Sequence, residues 1–153
     1  MANTYSQIYI HVIFSVKDRE PLLRDYFRSE VFGYIGDILK GRGNSLIAVN
    51  GLADHVHLFI GMKPKYTLSE IIRDVKSNSS RYINRRGWLK KKFEWQSGFG
   101  AFSYSHSQKE IVSAYIINQE CHHRNRGFEH EFNLFLKKFN ILPGGHSITS
   151  RKS

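Results

Sequence analysis

From Asp54 the chain reads Asp54-His55-Val56-His57-Leu58-Phe59-Ile60-Gly61-Met62, a run whose side chains change character with a period of two. In a β-strand residues i and i+2 point the same way. Val56, Leu58, Ile60 and Met62 then form one apolar face, and His55 and His57 stand side by side on the other. Residues 6–17 repeat the pattern, with Ile8, Ile10, Val12, Phe14 and Val16 on one face and Gln7, Tyr9, His11, Ile13 and Ser15 on the other. Strands of this kind must bury one face against another layer. Two adjacent imidazoles make a ready divalent-metal site. With 8 His in 153 residues, chance supplies roughly 0.4 such pairs, so the pair needs further context.

The length of 153 residues fits one domain with a sizeable core. Hydrophobic residues at 41% and charged residues at 24% describe a globular chain and exclude a disordered one. The apolar runs fall far short of the ~20 residues that cross a bilayer, so no membrane association through a span is expected. The first residues, Met1-Ala2-Asn3-Thr4-Tyr5-Ser6, lack the charged and apolar regions of a secretory leader. One cysteine, Cys121, excludes an internal disulfide, fits a reducing cytoplasm and is read as a buried thiol. Against 13 acidic residues stand 23 basic ones, for a net charge of +10 and a pI near 9.8. Such a surplus attracts polyanions, nucleic acid before an anionic membrane surface. Charge for solubility alone is the remaining alternative.

The order of elements follows from periodicity and caps. After the strand at 6–17, Pro21 suits a first helical position. Leu23, Phe27, Val31, Tyr34, Ile35, Ile38 and Leu39 then recur at helical spacing up to Gly41 and Gly43. A second strand is expected over 45–50 and the His-bearing strand from Asp54. Thr67-Leu68-Ser69-Glu70 reads as a capping box opening a helix with Leu68, Ile71, Ile72, Val75, Tyr82 and Ile83 on one face and Arg73, Lys76, Asn78 and Arg81 on the other. A fourth strand is expected over 98–105. Ser107-Gln108-Lys109-Glu110 reads as a second capping box, starting a helix to about His123. An amphipathic piece over 128–139, with Phe128, Phe132, Phe135 and Phe139, suits packing or a dimer surface. The order β-α-β-β-α-β-α plus a terminal helix predicts an α+β, ferredoxin-like (RRM-like) sandwich with an antiparallel four-stranded sheet. Residues 1–142 are expected to form one domain, and 143–153 a disordered tail. In the usual strand order the first and third strands are central neighbours, which brings His55, His57 and Phe59 beside Tyr9 and His11.

At ~100° per residue, Tyr115 and Gln119 fall about 40° apart on one helix face, with His122 on the same arc. A phenol and an amide oxygen one turn apart can approach one metal and one substrate atom. The alternative is a half-buried Tyr beside a solvent-facing Gln.

These residues carry a resemblance. The chain resembles the HUH-type single-tyrosine transposases of small bacterial insertion sequences, including the REP-associated tyrosine transposases, over about residues 5–139. The specific parts are Asp54-His55-Val56-His57-Leu58 and the Tyr-x-x-x-Gln segment Tyr115-Ile116-Ile117-Asn118-Gln119. Trp95-Gln96-Ser97-Gly98-Phe99-Gly100-Ala101-Phe102-Ser103 and Gln119-Glu120-Cys121-His122-His123 are similar to family members as well. The resemblance implies that His55, His57 and Gln119 bind a divalent metal, Mg²⁺ or Mn²⁺, and that Tyr115 is the nucleophile. It implies cleavage and rejoining of single-stranded DNA, with a subterminal hairpin, through a 5′-phosphotyrosine. It further implies a homodimer working in the bacterial cytoplasm on nucleoid DNA. Related replication initiators and relaxases often carry two tyrosines on the corresponding helix, but here the i+4 position is Gln119, and Tyr82 and Tyr104 are read as packing or stacking residues.

For the DNA, Lys76, Arg81, Arg85, Arg86, Lys90, Lys91 and Lys92 are the candidate phosphate contacts. Trp88, Phe93 and Trp95 are interleaved with them as stacking candidates or as core. His122 is a candidate helper for Tyr115 or a solvated surface group. His11 is read as a hydrogen-bonded strand histidine, with metal ligation the alternative. Other readings are a non-catalytic RRM-like single-stranded nucleic-acid-binding module stacking bases on Tyr9 and Phe59, and a metallo-hydrolase. A domesticated copy acting on genomic repeats would look the same.

Overall fold

The two alternating runs become the central pair of one sheet. In the computed structural model, which describes residues 3–118 and 127–138 and the backbone of 141–142 and 146–147, β1 (Ile8–Ser15) pairs antiparallel with β3 (His55–Met62). The register runs from Ile8 opposite Met62 to Ser15 opposite His55. β2 (Ser45–Leu52) flanks β3 and β4 (Gly100–Tyr104) flanks β1, for the order β2-β3-β1-β4 with every neighbouring pair antiparallel. This is the α+β, ferredoxin-like arrangement that the element order predicts.

Helices α1 (Asp25–Gly41) and α2 (Leu68–Arg86) cover the face that carries Val12, Phe14, Val56, Leu58 and Ile60. They bury Phe27, Val31, Ile35 and Leu39 from α1 and Ile71, Ile72, Val75 and Ile83 from α2. Each such side chain contributes about 1.5–3 kcal/mol by leaving water, so this face holds most of the hydrophobic stabilisation. The Thr67 cap forms as read: Thr67 Oγ1 accepts from the Glu70 amide at 3.1 Å and donates to Glu70 Oε1 at 3.0 Å. Gly87, at φ +69°, ends α2 in the left-handed conformation that a side chain disfavours.

The first and second strands run over 8–15 and 45–52 where 6–17 and 45–50 are expected, and three further boundaries differ for a visible reason. α1 begins at Asp25 and not at Pro21, because Leu22 and Leu23 are buried and the Leu23 amide donates to Ala53 O at 2.9 Å, which holds this stretch out of the helix. β4 begins at Gly100, since Gly98 sits at φ +87°. α3 (Lys109–Ile117) is preceded by a 3-10 turn whose capping box is Ser105 with Gln108, two residues before the expected one. Ser105 is still extended where β4 ends, so it is the first residue able to cap. The predicted extension to His123 lies outside the described residues.

The aromatic residues of the connector after α2 belong to the core. Phe93 is fully buried, and Trp88 stacks on Phe27 at 4.4 Å. Trp95 meets Phe14 and Phe93 edge-on and donates through Nε1 to Ser79 Oγ at 2.9 Å. Of the two alternatives the sequence left open for them, packing is the one realised.

The chain divides into two compact units, Met1–Gln119 and Glu120–Ser153. The first contains everything above. The second contains α4 (Phe128–Lys138), with acidic residues in its first turn and Lys137 and Lys138 in its last, the signs its macrodipole favours. Phe128 stacks on Phe132 at 5.7 Å. β5 (Ile141–Leu142) pairs antiparallel with β6 (His146–Ser147), so the tail expected to be disordered contains a short strand. The remainder of 143–153 lies outside the described residues, as do Phe139 and Cys121. Among the described residues no helix is long and apolar enough to cross a membrane.

Candidate active site

The face of the sheet turned away from α1 and α2 holds the imidazoles. Ser15 is opposite His55, Ile13 opposite His57 and His11 opposite Phe59 across the β1–β3 ladder. On the other side, Leu52 is opposite His55 and Asn50 opposite His57. The hairpin leading into β3 is tight at Gly51, where a Cβ would come within 2.3 Å of His55 O. Any larger residue there would displace the backbone that carries the pair.

The rings of His55 and His57 have centroids 5.2 Å apart at 74°. Each Nδ1 has a hydrogen-bond partner: Asp54 Oδ1 lies 2.8 Å from His55 Nδ1, and His11 Nε2 lies 2.8 Å from His57 Nδ1. The carboxylate can only accept, so His55 donates through Nδ1, and in a neutral imidazole the lone pair then stands on Nε2. That is the form in which metal-binding histidines are held by their outer partners. The donor set thus fits a divalent ion.

α3 lies over the same face. Val112 and Ile116 pack with Ala48 and Phe59, and Tyr115 joins the edge of this cluster half-buried. The spacing of Val112 and Ile116 puts the apolar side of the helix on the sheet and brings Tyr115 toward the imidazoles. The Tyr115 and His57 rings have centroids 6.3 Å apart at 69°, within one chain. Asn50 fastens the end of this helix. Its Nδ2 donates to Ile117 O at 2.8 Å while its Oδ1 accepts from the Gly51 amide at 2.9 Å. Asn50, Asp54 and the bonding of His11 escape a reading based on motifs. Asp54 bonds to its own neighbour His55 in the motif run, whereas His11 meets His57 only through the β1–β3 register.

Of the other tyrosines, Tyr104 is half-buried near His11, and burial pushes its phenol above the ordinary range. Tyr82 stacks on Tyr34 across α1 and α2 at 4.2 Å and bonds to Glu30, which raises its pKa, far from the imidazole face. Gln119 and His122 lie outside the described residues.

The basic candidates separate into two groups. Lys76, Arg81, Arg85 and Lys92 line a groove of about 910 Å³ between α2 and residues 92–99, together with Arg73 and the partly exposed Phe99. Lys76 braces the groove wall: its Nζ donates to Gln96 O at 2.8 Å and Gly98 O at 2.5 Å, and burial pulls its ammonium below the usual lysine range. The other three lie elsewhere. Arg86 pairs with Glu30 and covers Trp88, Lys91 pairs with Glu20 at 2.7 Å, and Lys90 lines a small hollow beside Tyr26. The groove reaches the sheet through its rim, where the Gln96 amide donates to Ser15 O at 2.8 Å and Ser15 is opposite His55.

Comparison with known proteins agrees with this architecture. A crystal structure of a "putative transposase" from Deinococcus radiodurans superposes with a TM-score of 0.63 at 22% identity, covering 78% of this chain and 95% of that one. A REP-associated tyrosine transposase bound to a REP hairpin superposes with a TM-score of 0.61 at 16% identity, covering 81% and 73%. No functionally curated protein matches the sequence. The model of the IS200-like transposases matches residues 4–119, the span of the sheet, its three helices and the Tyr-x-x-x-Gln segment. The chain belongs to the IS200-like transposase family.

Proposed function

We propose that this transposase cuts and rejoins single-stranded DNA at insertion-element or repeat ends through a single-tyrosine, metal-dependent reaction. The observation that carries the reading is the approach of Tyr115 to His57, 6.3 Å between ring centres, on the sheet face that also holds His55. His55 and His57, with Gln119, are the residues that would hold Mg²⁺ or Mn²⁺. Such an ion, when bound, draws charge from the scissile phosphate and offsets the charge that grows on its oxygens.

The Tyr115 phenol attacks phosphorus, the bond from phosphorus to O3′ breaks, and the departing oxygen takes a proton to become a 3′-OH. The downstream strand remains on Tyr115 as a 5′-phosphotyrosine. A later 3′-OH attacks the same phosphorus and expels the phenolate, so the strand is resealed without a nucleoside triphosphate. A phenol ionises at about pH 10 in water, so Tyr115 must pass its proton on during attack, and His122 is our candidate acceptor.

Arg73, Arg81, Arg85 and Lys92 in the α2 groove would follow the phosphates of the strand. The hairpin bound by the REP-associated neighbour supports a substrate with a subterminal hairpin. We take the working form to be a homodimer in the bacterial cytoplasm, on nucleoid DNA. The rival reading as an RRM-like binding module is disfavoured by its own residues. Phe59 is fully buried under α3, and Tyr9 bonds through its hydroxyl to His106 at 2.9 Å. Phe59 offers no open stacking face, and Tyr9 is half-buried against it with ring centres 6.0 Å apart.

The test is a denaturing gel of labelled single-stranded repeat-end DNA incubated with the protein and Mn²⁺. A covalent band is expected that EDTA removes and that Tyr115→Phe abolishes. A band that persists in Tyr115→Phe overturns the assignment and turns attention to Tyr104.

A further inference from the structure

We infer that His11 is a positioning residue, whose ring nitrogen accepts from His57 Nδ1 and so holds His57 in the tautomer that can bind a metal through Nε2. The inference rests on the metal reading of the His pair and deepens it. His11 and His57 are not directly opposite each other. They are diagonal neighbours, since His11 faces Phe59 and His57 faces Ile13. A diagonal pair on one sheet face is too far apart for small side chains and within reach of long ones. Here it closes to 2.8 Å between His11 Nε2 and His57 Nδ1.

The two rings are tilted by only 24° with centroids 5.0 Å apart. That spacing is close to the sum of the nitrogen–nitrogen distance and the two ring radii. The nitrogens therefore meet head-on, near a shared plane, as an N–H···N bond requires. Phe102 and Tyr104 stand 6.2 and 6.4 Å from the His11 ring and limit its rotation.

A neutral imidazole carries one N–H, and its lone pair is on the other nitrogen. If His57 binds metal through Nε2, its proton must be on Nδ1, and Nδ1 must donate. His11 is then the acceptor, through an Nε2 without a proton, and carries its own proton on the buried Nδ1. The reverse arrangement, His11 donating to His57 Nδ1, leaves the His57 proton on Nε2 and blocks ligation. His55 has an anion for this task in Asp54, whereas His57 has another imidazole. The two halves of the metal pair are thus oriented by different chemistry.

The experiment uses the full chain with His11→Leu, which removes the acceptor, and His11→Gln, whose amide oxygen can reach a similar position. Long-range proton–nitrogen NMR of the metal-free proteins reads the tautomer. His57 is expected as Nδ1–H in the wild type and in His11→Gln, and to lose that preference in His11→Leu. Mn²⁺ titration followed by electron paramagnetic resonance is expected to show a 10–100-fold weaker affinity in His11→Leu and recovery of most of it in His11→Gln. Equal Mn²⁺ affinity in His11→Leu and wild type, or a wild-type His57 protonated at Nε2, overturns the inference. If Mn²⁺ binds with this pattern but no covalent DNA adduct forms, the cleavage reading fails and the positioning role stands. A His11→Leu protein that does not fold leaves the wild-type tautomer and His11→Gln to decide.

Discussion

The two faces of the one sheet are built from alternate residues of the same strands, yet they differ in depth. Beneath α1 and α2, Val12, Phe14, Val56, Leu58 and Ile60 join a continuous core that extends to Phe93. Beneath α3 the buried apolar cluster consists of Ala48, Phe59, Val112 and Ile116, and the rest of the face mixes Ile13 and Phe102 with histidines and tyrosines. One face holds the fold and the other can carry groups that stabilise little. Because β3 belongs to both, rigidity gained on the thick side fixes the imidazoles on the thin side. A polar site needs such support, since its own hydrogen bonds add only about 0.5–1.5 kcal/mol each to stability.

The comparison breaks if neighbouring residues of β3 do not separate in their effects. His57→Ala is expected to reduce adduct formation at least about 10³-fold while the unfolding free energy falls by no more than about 1–2 kcal/mol. Leu58→Ala, one residue on, is expected to cost about 2–5 kcal/mol in urea unfolding and leave the activity of the folded fraction near wild type at low temperature. A Leu58→Ala protein that is stable but inactive would mean that the faces are not independent.

Asn50→Ala sharpens the same contrast within the thin face. It releases Ile117 O, with about 1 kcal/mol of stability lost. Adduct formation is expected to fall about 10-fold through misplacement of Tyr115, with Mn²⁺ affinity unchanged. Loss of Mn²⁺ binding in this variant would show that Asn50 supports the imidazoles and not the helix. The smallest effect belongs to the groove on the thick side. Arg81→Ala and Arg85→Ala are each expected to lower the salt slope of single-strand binding by about 0.7 per phosphate contact, with Tyr115 chemistry on bound DNA preserved. An unchanged slope in both would move the DNA path off α2.

The strand periods, the Thr67 cap and the Gly41–Gly43 stop were legible in the sequence because each depends on neighbours a few residues away. For the same reason His55 and His57 could be put on one face and Tyr115 on a helix side without any knowledge of their partners. The start of α1 departs from its local signal because Leu22 and Leu23 are buried and Leu23 follows a tertiary bond to Ala53. Of the seven basic residues named from charge alone, four share one groove. Charge reports attraction to a polyanion, and the fold decides which side chains face together.

The order of apolar and polar residues along the chain determined the elements, the face each presents and the residue types able to carry chemistry. What only the tertiary structure decided is the register: His11 diagonal to His57, Asn50 opposite it, and Tyr115 carried across by α3 within one chain. The physical reason is that a side-chain period of two allows any even shift of one strand past another without exposing the core. Packing between distant segments selects one register, and the site exists only in that one.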